Sequence, residues 1–91
     1  MRPILWKTTA TADLARIVTY LAERSPRSAR EIRQRIKNAV LTLARHPHLY
    51  RPGRVRGTRE IVVHPNYVIV YRDSRLRIEI LNVLHARQRF P

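Results

Sequence analysis

The chain has no cysteine. That excludes a disulfide framework, a thiolate zinc site and a cysteine nucleophile. Acids are scarce, with 6 Asp and Glu against 19 Lys and Arg, a formal net charge of +13. So uneven a balance fits two classes of anionic partner equally well, nucleic acid through its phosphates or an acidic protein. Glycine is almost missing, with 2 residues, both in the segment 46–57. No apolar run is long enough to span a membrane. The opening Met-Arg-Pro-Ile-Leu-Trp is too short for a secretory hydrophobic region, so the expected compartment is the cytoplasm. No internal repeat or low-complexity segment is present.

What is there reads as a folded basic domain. Hydrophobic residues make up 44% of 91 residues, too many for a flexible arm and enough for one small core, so residues 1–91 form a single domain. Of the cations only Lys7 and Lys37 are lysine and the rest are Arg. Arginine engages phosphate and carboxylate bidentately and stacks on bases. No carboxylate–histidine cluster has the spacing of a metal site, and neither a metal nor a cofactor is expected.

Residues 3–7 read as a short strand. Thr8 and Thr9 offer hydroxyls for an N-cap, and Asp13 is placed in the first turn, where the helix dipole favours a carboxylate. Leu14, Ile17, Val18 and Leu21 recur at helical spacing, which predicts a helix over Ala10–Arg24. Ser25-Pro26 is a restart signal, an N-cap followed by proline at the first helical position. The second helix carries Ala29, Ile32, Ile36, Val40 and Leu43 on one stripe and Arg27, Arg30, Arg33, Arg35 and Lys37 on the other, with Glu31 and Arg35 spaced for an i,i+4 pair. It ends near Arg45, ahead of His46-Pro47. Two helices so briefly connected fold back as a hairpin.

Residues 46–57 read as an exposed basic loop holding Arg51, Arg54 and Arg56. From Thr58 the period becomes two. Strands are predicted over Thr58–His64, Tyr67–Arg72 and Leu76–His85, with turns at Pro65-Asn66 and Asp73-Ser74. Their nearly continuous apolar residues imply burial on both faces. A short basic tail, Ala86–Pro91, follows. The fold class is α+β in the order β-α-α-β-β-β, a helical hairpin packed on a small, mostly antiparallel sheet, with the first strand beside one of the last three.

Several local sequences then fall into a recognisable order. Trp6, Ala10, Asp13-Leu14, Ile17 and Tyr20 open the chain. His46-Pro47 precedes Gly57-Thr58-Arg59-Glu60-Ile61-Val62-Val63. Asn66-Tyr67-Val68-Ile69-Val70-Tyr71-Arg72 forms the central hairpin, and Val83-Leu84-His85-Ala86-Arg87-Gln88 closes it. Together they resemble the RelE/ParE superfamily of bacterial type II toxins, over the whole chain and closer to the ParE-like branch. The resemblance implies a toxin that arrests growth and is neutralised by a cognate antitoxin. That antitoxin would carry an acidic segment that folds on the toxin, and the complex would bind operator DNA through it. The net charge suits such a partner.

The superfamily divides by target. RelE-like members resemble ribosome-dependent mRNA endoribonucleases, and ParE-like members resemble inhibitors of DNA gyrase. Cleaving RNA through its own 2′-OH needs a base, an acid and cations around the phosphorane. The candidates for that chemistry are His85, Arg87, Arg72 and Arg59. Arginine stays protonated and transfers protons poorly. RelE-like nucleases often carry a reactive tyrosine near the C-terminus and a basic residue after the tyrosine of the second sheet strand. Here the C-terminal aromatic is Phe90 and the second position is Val68. His64 suits a turn, and His46 and His48 suit a helix C-terminus. Tyr20, Tyr67 and Tyr71 read as core or half-buried aromatics, and Trp6 as core or groove wall.

The expectation is therefore a ParE-like toxin that inhibits a replication target such as DNA gyrase, with Arg27, Arg30, Arg33, Lys37, Arg54 and Arg56 as its target or antitoxin surface. The alternatives are a RelE-like endoribonuclease and a non-toxic basic nucleic-acid-binding module.

Overall fold

The structure, a computed structural model, describes residues 2–88. Strand β1 (Ile4–Trp6) leads into helices α1 (Thr8–Arg24) and α2 (Pro26–Arg45), and β2 (Arg51–Pro52), β3 (Arg59–His64), β4 (Tyr67–Asp73) and β5 (Ile78–His85) follow. The strands form one sheet in the order β1-β5-β4-β3-β2. Strands β2 to β5 pair antiparallel, and β1 joins β5 in parallel with Ile4 opposite Ile78 and Trp6 opposite Ile80. The expected α+β order is present, and the first strand takes the edge beside the last. The Phe90-Pro91 end of the tail lies outside the described residues.

Ser25 caps α2 as its sequence predicts, its Oγ accepting the Ser28 N–H at 3.2 Å with Pro26 in the first turn. The start of α1 differs. The helix begins at Thr8, and its N-cap is Lys7, which makes no side-chain cap bond. The Lys7 N–H is held by the Ile80 carbonyl at 2.9 Å, so the chain leaves β1 and turns directly into helix. Thr8 and Thr9 are therefore inside the helix rather than caps, and Asp13 falls beyond the first turn. The Glu31–Arg35 pair is also replaced. Glu31 pairs with Arg27 at 3.3 Å, while Arg35 reaches across to the Val63 carbonyl at 3.4 Å.

Ala10, Ile32, Ile36 and Leu43 from the helices pack on Ile61, Ile69, Tyr71 and Ile80 of the sheet. A bulge on β5 shapes this interface. Tyr71 faces Ile80 but Val70 faces Asn82, so Leu81 is the extra residue. Helix α1 staples that bulge. The Thr9 hydroxyl donates to the Leu81 carbonyl at 2.7 Å, and the buried Asp13 carboxylate accepts from Asn82 Nδ2 and the Val83 N–H, each at 3.0 Å.

The opposite face of the sheet is also dry at its centre. Val68, Val70 and Leu84 are buried there, as the unbroken apolar strands imply, although Val62 stays exposed. The segment after α2 is less irregular than expected. Arg51 and Pro52 form β2 against Arg59 and Glu60, and Gly57 takes a positive φ of 84° that suits glycine. The last strand starts at Ile78, because Leu76 sits in the preceding turn and is almost fully exposed.

Candidate functional site

The basic stripe of α2 is partly gathered and partly dispersed by the fold. Arg30, Arg33 and Lys37 stand at i, i+3 and i+7, so they share one helical face. They line a groove of about 600 Å³. Its apolar wall comes from Trp6 on β1, Leu14 on α1, and Val40 and the exposed Leu41 on α2. An apolar trough rimmed by three cations suits an amphipathic segment with acidic flanks. Arg27 lies outside this groove, paired with Glu31 near the hairpin tip.

The loop cations have different fates. Glu60, on the face away from the helices, is buried at 3% exposure. An isolated carboxylate there would be costly, so it is neutralised twice. Arg51 Nη2 and Arg54 Nε each approach it at 3.2 Å, and the Arg54 backbone N–H donates to it at 3.0 Å. The same Arg54 guanidinium donates to the Gln88 carbonyl at 2.8 Å and the Ala86 carbonyl at 3.3 Å. Arg54 thus joins the loop, β3 and the C-terminal turn, a structural task the sequence does not disclose. Arg56 is exposed in the turn that follows.

The four nuclease candidates do not converge. His85 faces Tyr67 across the sheet, and Arg72 faces Glu79. Arg72 is five residues further along β4, about 16 Å away at roughly 3.3 Å per residue. Arg87 stays beside His85, its N–H donating to His85 Nδ1 at 3.2 Å. Arg59 donates to the Tyr50 carbonyl at 2.8 Å and opens on a separate small cleft of about 280 Å³ with His48 and Asp73.

The ParE toxin of the type II toxin–antitoxin system parDE matches residues 4–90. The chain belongs to this ParE toxin family. The Sinorhizobium fredii protein Y4kP, named as a toxin, is 42% identical over 89 residues, covering 97% of this chain and 92% of its own. Toxin RelE2 of Caulobacter vibrioides is 35% identical over 86 residues, covering 94% of this chain and 97% of its own. Among solved structures, a chain of the chromosomal ParDE system of P. aeruginosa superposes with a TM-score of 0.80 at 25% identity, covering 93% of this chain and 96% of that one.

In this ParE-family chain the sheet also holds one further ionic site and one buried hydrogen bond that no sequence pattern signals. The Asp73 carboxylate, with its side chain 8% exposed, lies 3.1 Å from His48 Nδ1 and contacts Arg2 from the N-terminal segment. His48 is thus a partner of the sheet rather than a helix-end cation. Tyr71 is fully buried and donates its hydroxyl to the Pro47 carbonyl at 2.6 Å. Burial pushes its pKa up to about 12 against the opposing Arg59 charge, so it remains a protonated donor at neutral pH. Among the described residues, no group of three or more His, Asp or Glu is arranged to hold a metal, and no helix is long and apolar enough to cross a membrane.

Proposed function

We propose that this type II toxin arrests growth by binding a DNA-replication enzyme of the gyrase class, without cleaving RNA, and that an acidic antitoxin segment occupies the α2 groove. The observation that carries the reading is the dispersal of the nuclease candidates, with His85 and Arg72 at opposite ends of β4 and β5. A phosphorane needs base, acid and cations within hydrogen-bond reach of one phosphate. The state of His85 supports the same reading. Its Nδ1 accepts the Arg87 N–H, so the neutral ring carries its proton on Nε2 and offers a donor where a general base needs a lone pair.

The test follows DNA synthesis, protein synthesis and transcript integrity in parallel after induction. DNA synthesis stopping first with intact transcripts is the expected result. Early translational arrest with transcripts cut at defined positions would overturn it. The His85→Ala protein separates the readings again, since it should retain growth arrest. A folded but harmless His85→Ala chain would favour the nuclease.

A further inference from the structure

A second cavity, of about 380 Å³, opens between the tip of the helical hairpin and the turn that joins β3 to β4. It is lined by Tyr20 on α1, Ser28 and Glu31 at the start of α2, and His64, Asn66, Tyr67 and His85 at the ends of the sheet. The two imidazoles flank the Tyr67 ring, each with its centroid 5.7 Å from it. They are held alike. His64 Nδ1 accepts the Asn66 N–H at 3.0 Å, and His85 Nδ1 accepts the Arg87 N–H at 3.2 Å. Each Nδ1 is therefore an acceptor, and each neutral ring presents Nε2–H as a donor.

The surroundings are donors as well. Burial and the nearby Tyr20 raise the Tyr67 pKa, which keeps its hydroxyl protonated. Tyr20 and Ser28 add hydroxyls, and Asn66 adds an amide. None of these side-chain donors has a hydrogen-bond partner among the described residues. Against them stands one carboxylate, Glu31, which Arg27 already holds at 3.3 Å. A cavity with surplus donors in a cationic protein is complementary to an anionic acceptor.

We infer that this cavity receives a carboxylate side chain from an acidic partner protein. A carboxylate on a side chain enters end-on and accepts from several donors at once, and the acidic partner of the α2 groove carries such groups. The cavity adds a second anchor to the acidic partner placed in the α2 groove, and the inference rests on that reading of the partner.

The test uses the labelled full chain, with acetylated hexaglutamate as the acidic probe and hexauridylate as the nucleic-acid probe. Titration at neutral pH is followed by NMR, on the parent and on a form with Arg30, Arg33 and Lys37 changed to Gln. Hexaglutamate is expected to shift the His64 and His85 ring resonances in both forms. Tyr67→Phe, which keeps the ring and removes one donor, should weaken the apparent affinity at those rings by about tenfold, the loss of one charge-assisted hydrogen bond. His85→Gln is the second variant, should Tyr67→Phe disturb the fold. Unmoved imidazoles, or folded variants that bind as the parent does, would overturn the inference. So would hexauridylate shifting the same rings more strongly. Shifts along α2 with unmoved imidazoles leave the groove standing and remove only the cavity. Shifts at the imidazoles alone do the reverse.

Discussion

The Asp13 carboxylate on α1 accepts the Val83 N–H on β5 at 3.0 Å, across 70 residues of sequence. Strand β1 ends at Trp6, opposite Ile80, and beyond that end Asp13 is the group that satisfies the Val83 N–H. The other oxygen accepts from Arg16 at 2.8 Å. Asp13→Ala leaves two donors at the bulge, Asn82 Nδ2 and the Val83 N–H, without an acceptor. The expected cost is about 2–3 kcal/mol, or roughly 10–20 °C in melting temperature for a domain of this size. Asp13→Asn keeps one acceptor oxygen and should lose less. Urea unfolding of both variants checks this, and a loss under about 0.5 kcal/mol for the alanine would remove the staple.

Stability should fall at high pH through Tyr71. The folded chain keeps that proton to about 12, whereas the unfolded chain releases it near the ordinary 10.0. Between those values the unfolded state binds fewer protons, so stability drops as pH rises and is fully present below the window. Tyr67, raised by burial and by Tyr20, acts with the same sign. A urea midpoint flat to about pH 10 and falling beyond it is the expected profile. Tyr71→Phe should begin about 1 kcal/mol lower, for the lost bond to Pro47, and fall less steeply. An unchanged slope would assign the alkaline loss elsewhere.

Arg54 and Glu60 should behave as one unit. Breaking a buried ion pair costs roughly 3–5 kcal/mol when nothing replaces the partner. Arg51 remains beside Glu60 at 3.2 Å, so Arg54→Ala should cost less, about 2 kcal/mol. Arg54→Ala combined with Glu60→Gln should cost less than the sum of the two, with a coupling of about 1 kcal/mol or more. Hydrogen exchange at Gln88, whose N–H donates to the His85 carbonyl at 2.9 Å, should quicken when Arg54 is lost. Additive energies with unchanged exchange would mean that Arg54 does not hold the C-terminal turn.

The elements were legible because they depend on local period. The stripe Ile32, Ile36, Leu43 and the cations Arg30, Arg33, Lys37 are both set by the helical repeat and legible from spacing, whereas the groove also needs Trp6 and Leu14 from other elements. The roles of Asp13, Glu60 and Asp73 could not. Asp13 is tied to Val83 and Asp73 to Arg2, and those distances close only when β1 and β5 meet at one edge of the hairpin. Glu60 falls out of phase with Ile61 and Val63, which in an alternating strand puts it on the face away from them, and the loop that buries it carries no periodic signal. His85 was visible as a strand end, but the occupation of its Nδ1 comes from the turn that follows.

The groove itself makes the strongest demand on charge. Arg30, Arg33 and Lys37 are exposed on α2 and make no ion pair among the described residues. Changing all three to Glu should therefore leave folding nearly intact, within about 0.5 kcal/mol per site. If an acidic antitoxin segment docks there, its encounter is steered by these charges. Association with the cognate antitoxin should slow at least tenfold or so at low salt. The difference should shrink as salt shortens the screening distance from about 10 Å at 0.1 M to about 3 Å at 1 M. A charge-reversed chain that associates as fast as the parent at both salt concentrations would show that the acidic segment docks elsewhere, because steering by three clustered cations cannot survive their reversal.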